Sequence, residues 1–216
     1  MTSSRGGETL SLRLRTLHSY HRNESSIWDI GCDHGLLGLS FSEKEGVSEI
    51  HLVDPSELVI KQLKHNIDSY ITKSNLLISI HHEKGEALSV TTSSNLFLIA
   101  GMGGKTIKDI LEHLKTQPHV SRVVISPHKN ILDLRRYLEE SAYRLEDEVV
   151  VFEEGRFYQV LALTLDQSQP RVSRYGLKLW QGSVGEAYRQ QQIDTFMSHR
   201  DSFSLDYLAH LRGLTR

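Results

Sequence analysis

The sequence predicts one α/β domain built on a seven-stranded, mostly parallel sheet, with a small helical appendage at the C-terminal end. Five units, each an apolar strand-length segment followed by a helical or turn segment, are typical of a parallel sheet with helices on its faces. Two longer alternating segments then meet at Glu153-Glu154-Gly155, which predicts an antiparallel hairpin. After Pro170 the pattern becomes helical and polar. We therefore expect the sheet domain over residues 1–168 and the appendage over residues 169–216.

The elements are expected in the following order. Residues 1–7 are polar and glycine-rich and should be frayed, and a short helix carrying Leu10, Leu12, Leu14 and Leu17 precedes the first strand. Strands are predicted at Ser26–Ile30, Val47–Val53, Leu76–His81, Asn95–Ala100, Arg122–Ile125, Arg144–Phe152 and Arg156–Leu165. A helix is predicted from the first glycine turn to about Glu43, and a second begins at Pro55 with Leu58, Leu63 and Ile67 buried. A third is predicted over Lys105–Lys115, with Ile107, Ile110, Leu111 and Leu114 buried. A fourth carries Leu132, Leu134, Tyr137 and Leu138.

Composition excludes several classes of protein. With 216 residues the chain is long enough to bury a proper core. Cys32 is the single cysteine, so an internal disulfide framework is excluded and a reducing compartment is expected. No segment approaches the roughly eighteen apolar residues of a membrane span, and the N-terminus has no apolar signal core. The expected location is the cytoplasm, with no membrane partner.

The net charge of −2 hides an uneven distribution along the chain. Residues 1–22 carry four arginines and one glutamate (+3), and residues 171–216 carry seven basic and four acidic groups (+3). The middle, residues 23–170, carries fourteen basic and twenty-two acidic groups (−8). This pattern favours a polyanion held by the two ends of the chain, although ordinary solvated helix faces would give the same tally.

The stretch from Asp29 to Gly35 reads Asp-Ile-Gly-Cys-Asp-His-Gly and joins an apolar strand to an apolar-periodic segment. Its spacing, D-x-G-x-x-x-G, differs from the G-x-G-x-x-G fingerprint that cradles a dinucleotide pyrophosphate. Gly31 lets the backbone turn where a Cβ would clash, Gly35 allows a ligand or helix to come close, and Asp29 can brace the turn or meet a cation. The motif is similar to the first motif of class I S-adenosylmethionine methyltransferases. A purely structural glycine turn is the alternative.

Three further features fall at the carboxyl ends of predicted strands, where ligands of open α/β sheets bind. Asp54 can accept both ribose hydroxyls of a nucleoside cofactor, or cap the helix after Pro55. Glu86 stands where an acidic group beside an adenine amino group is usual, or is an ordinary loop residue. The Gly101–Gly104 turn offers bare backbone to a cofactor and a methyl acceptor. Its continuation is not a phosphate loop, because Ile99 occupies the position of the required first glycine.

Four blocks in matching order resemble the bacterial tRNA (adenine-22-N1)-methyltransferase family: Leu10-Ser11-Leu12-Arg13-Leu14, the Asp29–Gly35 motif, Ile99-Ala100-Gly101-Met102-Gly103-Gly104, and the hairpin from Asp147-Glu148 to Tyr158-Gln159-Val160-Leu161. The resemblance covers about residues 10–165. It implies a Rossmann-like class I methyltransferase fold, S-adenosyl-L-methionine as cofactor and tRNA as substrate. The cofactor-binding positions that follow from it are Asp29, Gly31, Cys32, His34, Gly35, Asp54, Pro55, Gly85, Glu86, Ala87, Gly101, Met102 and Gly103, and the substrate-binding positions are Arg13, Ser126 and Pro127.

The chain also departs from the family pattern at several places. Leu36-Leu37-Gly38 replaces an aromatic residue followed by Leu-Pro, Ser126-Pro127-His128 replaces Gln-Pro-Asn, and Asp54 replaces the usual glutamate. The long helical hairpin of the family's C-terminus is shortened to about 45 residues. The cofactor expectation survives these changes. The identity of the base is the less constrained part of the prediction, because the altered positions face the acceptor side.

Methyl transfer to adenine N1 needs little covalent help, because its in-plane lone pair can attack a sulfonium methyl once the two are aligned. The product ring is cationic, so a nearby acceptor for the N6 protons would favour it. Asp33 is the first candidate for this catalytic role and His128 the second. A paired nucleotide must first be extruded, and Tyr137, Phe157 or Tyr158 could stack on it, with ordinary core aromatics as the alternative.

No metal site is predicted, because the twelve histidines include no His-x-x-x-His pair and there is no cysteine cluster. Besides the tRNA methyltransferase, the sequence leaves two functions open. One is a methyltransferase with another substrate, and the other is a relative that binds RNA or a protein without transferring a methyl group. The sequence contains no indication of the oligomeric state.

Overall fold

One mixed sheet of seven strands runs through the described part of the chain, residues 10–67, 75–199 and 201–214 of a computed structural model. The strands are β1 (Ser26–Ile30), β2 (Glu49–Val53), β3 (Leu77–His81), β4 (Asn95–Ala100), β5 (Arg122–Ser126), β6 (Arg144–Glu153) and β7 (Arg156–Thr164). Their order across the sheet is β3-β2-β1-β4-β5-β7-β6. β1 to β5 pair in parallel, and β7 is antiparallel to both β5 and β6. The predicted seven-stranded sheet with an antiparallel hairpin is confirmed.

This topology gathers most of the functional candidates at one edge of the sheet. The carboxyl ends of the parallel strands β1 to β5 lie there together. β6 runs in the same direction as β5, because both are antiparallel to β7, so the hairpin turn at Glu154 and Gly155 lies at this edge too. We call it the carboxyl edge. The strand order reverses between β1 and β4, and such a switch point is where open α/β sheets hold ligands.

Helices of very different length flank the sheet. They are α1 (Leu12–Ser19), α2 (Leu36–Leu39), α3 (Glu57–Asn66), α4 (Gly104–Leu114), α5 (Ile131–Glu140), α6 (Gly182–Phe196) and α7 (Ser202–Gly213), with a 3-10 turn at Gly85–Ala87. All four apolar residues predicted to face the core from α4 are fully buried. None of these described helices combines the length and the apolar composition that crossing a membrane requires. The fraying predicted for residues 1–7 lies outside the described ranges.

The helix after the first glycine turn is shorter than predicted. α2 has four residues and ends at Leu39, whereas the sequence pattern indicated a helix reaching about Glu43. The Ser40 hydroxyl donates to the Leu37 carbonyl (2.6 Å), and such local side-chain bonds compete with the helical ladder. The apolar residues that follow are still buried, but they pack from turns.

The start of α3 also differs from the prediction. The helix begins at Glu57, because Ser56 is its N-cap, and Pro55 lies outside it. Leu58, predicted to face the core with Leu63, is 66% exposed. The two residues are five positions apart, which is about 140° around a helix, so they could not share one face.

Both faces of the sheet carry a buried apolar layer. The layer towards α4 and α5 includes Trp28, Phe97 and Ile125, and the layer towards α1, α2 and α3 includes Leu98 and Val160. Phe97 and Leu98 are neighbours on β4 and belong to opposite layers, as the alternation of side chains along a strand requires. Burial on both faces explains why the central strands are continuous apolar runs in the sequence.

The segment after β7 packs on the outer part of the sheet through a third, aromatic-rich cluster. It contains Val150 of β6 together with Leu179, Trp180, Tyr188, Tyr207 and Leu211. The rings of Trp180 and Tyr188 stack with centroids 5.5 Å apart. The helical C-terminal segment is therefore held against the sheet by an apolar interface.

A buried ion pair reinforces that interface. The Arg135 guanidinium of α5 is fully buried and pairs with the Glu148 carboxylate of β6. Its Nε donates to Gln159 Oε1 (2.6 Å) and another nitrogen donates to the Ser173 carbonyl (2.8 Å). Gln159 Nε2 in turn donates to the Tyr188 hydroxyl (2.8 Å). A buried ion pair is tolerable only when it is satisfied in this way, so the network specifies where the C-terminal segment docks.

Candidate cofactor and substrate site

The first glycine turn ties the ends of three strands together. Gly31 N and Cys32 N both donate to the Val53 carbonyl at the end of β2 (2.8 and 3.1 Å). Gly31 has φ +72°, and an ideal Cβ on it would lie 2.0 Å from Cε of Met102, which follows β4. A side chain there would be strained because L residues rarely adopt this backbone conformation, and it would also displace the flexible end of the Met102 side chain. The Cys32 thiol is 7% exposed, and burial raises its pKa.

Asp29 braces the turn from inside the protein. Its side chain is 3% exposed, and Oδ2 accepts a hydrogen bond from Gly38 N of α2 (2.8 Å). Burial raises the pKa of this carboxyl to about 7, and the charge of Asp54 raises it further, against the lowering effect of the Gly38 hydrogen bond. Of the two roles that the sequence left open, bracing the turn is the one that the structure shows.

Asp54 organises the backbone between β2 and α3. Its Oδ2 accepts from Asp33 N (3.3 Å) and its Oδ1 accepts from Ser56 N (2.8 Å). The hypothesis that Asp54 caps α3 is wrong, because Ser56 occupies the cap and accepts from Val59 N. Asp54 instead joins the turns after β1 and β2, while the adjacent Pro55 is exposed.

Asp33 and His34 form the exposed rim of the first turn. Their side chains are 71% and 65% exposed, with 3.7 Å between Asp33 Oδ1 and His34 Nε2. Gly35 is the N-cap of α2, and no side chain caps that helix, so Asp33 does not serve as its cap. The close approach that Gly35 permits is by Leu63 of α3, whose Cδ2 would lie 2.8 Å from an ideal Cβ.

The turns after β4 and β5 are joined by backbone hydrogen bonds. They run from Gly101 N to Ser126 O (3.1 Å), from His128 N to Met102 O (3.0 Å), and from Gly104 N to Lys129 O (2.9 Å). Pro127 is buried between them and His128 is exposed. Ser126 Oγ is buried with no hydrogen-bond partner among the residues that the structure describes. These hydrogen bonds join the turn after β4 and the turn after β5, which are both predicted to face the methyl acceptor, into one ledge on the carboxyl edge.

The turn after β3 contributes one exposed acid. Gly85 is buried, and an ideal Cβ on it would lie 2.6 Å from Cγ2 of Ile30 in β1. Glu86 and Ala87 follow on the exposed side of the 3-10 turn. Packing against Ile30 accounts for a glycine at position 85, and Glu86 is compatible with both roles considered for it.

Arg13 lies at the far side of the same edge. Its backbone N–H donates to Glu153 Oε1 (3.2 Å), and its guanidinium lies 4.7 Å from the centre of the Tyr158 ring. Tyr158 therefore has a cationic partner at this edge, and so does Tyr137, because Lys108 Nζ lies 5.3 Å from the centre of its ring. Phe157 packs in the third apolar cluster and Tyr137 packs against the core below α4 and α5.

The structure thus brings most of the predicted site residues to one edge, around the switch point between β1 and β4. Sequence reasoning did not find Met102 as the side chain that covers Gly31, or Glu153 as the anchor of Arg13. Neither contact leaves a local pattern in the sequence. Over the ranges 10–67, 75–199 and 201–214 there is no group of three or more His, Cys, Asp or Glu residues placed to hold a metal ion.

The sheet order and the glycine turn beside an acidic strand end define a Rossmann-like class I methyltransferase fold. The chain belongs to the family described as "Methyltransferase domain", which matches residues 10–161. This match covers the sheet up to the middle of β7, including every turn described above.

Among relatives, the chain is 31% identical over 158 residues to the tRNA (adenine(22)-N(1))-methyltransferase of Bacillus subtilis (strain 168). The match covers 70% of this chain and 63% of that protein. The chain therefore spans less than two thirds of that relative's length.

Solved structures of similar proteins share the fold. The Streptococcus pneumoniae protein Sp1610 in complex with S-adenosyl-L-methionine superposes with a TM-score of 0.81 at 22% identity, covering 96% of this chain and 100% of that one. The M. capricolum TrmK in complex with S-adenosyl-homocysteine gives a TM-score of 0.72 at 17% identity, covering 95% and 94%. The likeness extends over the C-terminal helices as well as the sheet.

Proposed function

We propose that this chain is an S-adenosyl-L-methionine-dependent tRNA methyltransferase that modifies N1 of an adenine, at position 22. The observation that carries the proposal is the paired arrangement of the Gly31 turn and the Gly101–Gly103 turn on either side of the switch point. The 31% identity to the Bacillus subtilis enzyme over 158 residues supports the choice of substrate. A cytoplasmic location, where tRNA is found, is part of the proposal.

The cofactor would be held at the carboxyl edge by the turns after β1, β2, β3 and β4. The bare backbone at Gly31 and Gly101 allows close approach, and Asp54 and Glu86 supply acidic groups for a ribose and an adenine amino group. Asp29 would act indirectly, by holding the turn from beneath. The remaining positions assigned to cofactor binding are Cys32, His34, Gly35, Pro55, Gly85, Ala87, Met102 and Gly103. Cys32, Gly35 and Gly85 are buried and would act through the backbone.

The acceptor base would lie on the ledge formed by the turns after β4 and β5. Bound S-adenosyl-L-methionine supplies an electrophilic methyl group, and the protein's task is to orient N1 towards it and exclude water. Asp33 and His128 are both exposed at this edge, one after β1 and one after β5. Either side chain is free to take up a position beside the N6 amino group, where it would stabilise the cationic product ring. Arg13, Ser126 and Pro127 would position the nucleotide.

The direct test is methylation of an unmodified transcript of a tRNA carrying adenine 22, followed by mapping of the modified nucleoside. We expect N1-methyladenosine at position 22 and none in a transcript with guanine there. Methylation elsewhere would refute the assigned position and leave a methyltransferase with another acceptor. Calorimetry with S-adenosyl-L-methionine separates the remaining alternative, because a non-catalytic RNA- or protein-binding relative that has lost the cofactor would show no heat of binding.

The role of Asp33 is tested by Asp33→Asn, which keeps the size of the side chain and removes its charge. Single-turnover kinetics should show a loss of about 10²-fold or more in the rate of methyl transfer, with cofactor affinity nearly unchanged. Asp206→Asn, the same change at an exposed position of α7, is the control and should leave the rate within a few-fold. Equal rates for Asp33→Asn and the native chain would transfer the role to His128, and loss of cofactor binding would show that Asp33 contacts the cofactor.

We further infer that residues 169–216 form an extension docked on a methyltransferase domain of residues 1–168. The aromatic cluster and the Arg135–Glu148 pair support this division, since they lie at the junction of the two parts. Limited proteolysis tests it, and cleavage should begin between the end of β7 and α6.

A further inference from the structure

Three basic residues of the two chain ends form ion pairs with acidic residues of the middle segment. Such pairs join Arg22 to Glu146 (3.3 Å), Arg174 to Glu139, and Lys178 to Asp147 (2.7 Å). Each of these cations comes from an end of the chain and each anion from the middle. The ends are therefore less able to attract a polyanion than their net charge of +3 each suggests.

Three lysines of the middle segment behave differently. Lys105, Lys108 and Lys129 are exposed, and none is in an ion pair with any residue of the described ranges. We call them the α4 lysine patch. They sit in a segment whose net charge is −8, so a tally along the sequence conceals them.

The three lysines lie beside the proposed acceptor ledge. Lys105 and Lys108 are on the first turns of α4, three residues apart, so their Cβ atoms are about 5–6 Å from each other. Lys129 packs its aliphatic stem on the N-cap of the same helix, with Cε 3.0 Å from an ideal Cβ on Gly103. The backbone that follows Lys129 also approaches α4 closely, because an ideal Cβ on Gly104 would lie 2.4 Å from the carbonyl oxygen of Asn130. All three lysines thus belong to segments that adjoin the Gly101–Gly104 turn.

We propose that the α4 lysine patch binds the phosphate backbone of the tRNA next to the nucleotide that enters the site. The proposal rests on the proposed function and adds the surface through which the RNA is held. Three cations without ion-pair partners can each neutralise a phosphate, and the N-terminus of α4 favours an anion at the same place. The acidic surroundings repel the backbone elsewhere, which focuses it on this patch.

Neighbouring groups set the strength of the patch. Lys108 Nζ lies 5.3 Å from the centre of the Tyr137 ring, which positions the ammonium without neutralising it. The acids on the same surface have their own partners in two cases: Glu112 pairs with Lys115, and Asp133 lies 3.9 Å from Arg136. Asp109 on α4 is exposed and offsets part of the charge, and Glu112 does so too, because its carboxylate also interacts electrostatically with Lys108.

The test measures tRNA affinity as a function of salt for the double variant Lys105→Gln/Lys108→Gln and for Lys129→Gln. Each lost phosphate contact should reduce the slope of log K against log salt by about 0.7–0.9, so the double variant should lose between one and two units. The matched control is Lys61→Gln/Lys64→Gln, a pair of exposed lysines with the same spacing on α3. It should leave the slope within experimental error.

Other measurements keep the inference separate from the proposed function. Cofactor binding by calorimetry and the rate at saturating tRNA should be unchanged in the patch variants, because the lysines hold RNA and take no part in chemistry. An unchanged slope, or an equal loss in the α3 control, would overturn the inference. A native protein that binds tRNA through the patch without methylating adenine 22 would refute the function and leave the surface standing. Loss of binding to phosphatidylglycerol vesicles, with tRNA binding intact, would assign the patch to a lipid surface and also overturn it.

Discussion

The buried carboxyl of Asp29 should make the folded protein less stable as the pH rises towards 8. Burial raises its pKa from 3.8 to about 7. Between these two values the folded state keeps a proton that the unfolded chain has lost, so the free energy of unfolding falls as the pH rises. The difference is 7 − 3.8 = 3.2 pKa units. At 1.36 kcal/mol per unit, the full cost above pH 7 is about 4 kcal/mol.

Asp29→Asn removes this cost and keeps an oxygen that can accept the hydrogen bond from Gly38 N. At pH 8 the variant should be more stable than the native chain by about 4 kcal/mol, less the roughly 1–3 kcal/mol that a buried amide donor without a partner costs. At pH 5 the native carboxyl is protonated in the folded state, so most of the advantage should disappear. Urea unfolding between pH 5 and pH 8, with linear extrapolation to water, measures the difference.

The difference between the two proteins isolates Asp29, because all histidines titrate in both. Asp206→Asn on the exposed side of α7 is the control and should change stability by less than about 0.5 kcal/mol at each pH. A stability difference between Asp29→Asn and the native chain that stays constant from pH 5 to pH 8 would refute the reasoning. It would mean that the carboxyl keeps one charge state throughout, despite its burial.

Three further predictions follow from particular contacts. Gly31→Val should abolish S-adenosyl-L-methionine binding in calorimetry, because its side chain strains the turn and displaces Met102, which is itself assigned to cofactor binding. Gly46→Val is the control, because it has φ +84° and no atom within 4 Å, so it carries the backbone strain alone and should keep binding. Arg135→Met should lower the free energy of unfolding by about 3–5 kcal/mol, since it leaves a buried carboxylate unpaired. Arg136→Met, on the half-exposed side of the same helix, should cost at most about 1 kcal/mol in the same denaturant titration. The free energy of unfolding should also fall as the pH drops below about 6.5, because burial lowers the pKa of His51 and the unfolded state therefore takes up the proton first. His51→Gln should make the free energy of unfolding depend less on pH in this range.

The sheet could be predicted from the sequence because its central strands are buried on both faces. Burial on both sides leaves a continuous apolar run with polar or glycine residues at its ends, and Ser26–Ile30 and Asn95–Ala100 match the observed strands to the residue. The glycine turns could be located for a similar reason, since Gly31 has a backbone conformation that other residues rarely adopt.

The partners of polar side chains could not be predicted in the same way. Arg135 and Glu148 belong to different elements, and nothing near either residue in the sequence indicates that both are fully buried. Asp54 was correctly placed at the end of β2, but ribose binding and capping of α3 were the roles considered for it, and nothing in the sequence indicated that it joins two turns. The ion pairs between the chain ends and the middle segment could not be predicted for the same reason, because they depend on contacts between distant segments.

The buried network around Arg135 also decides how the C-terminal segment can be studied. Deleting residues 171–216 would remove the Ser173 carbonyl and the Tyr188 hydroxyl from that network and expose the apolar cluster around Trp180. A weaker tRNA affinity after such a deletion would therefore report damage to α5, β6 and β7 as much as the loss of basic groups. Charge must be removed at exposed positions that leave the network intact. The three residues of the α4 lysine patch meet this condition, because they are exposed and form no ion pair within the described residues.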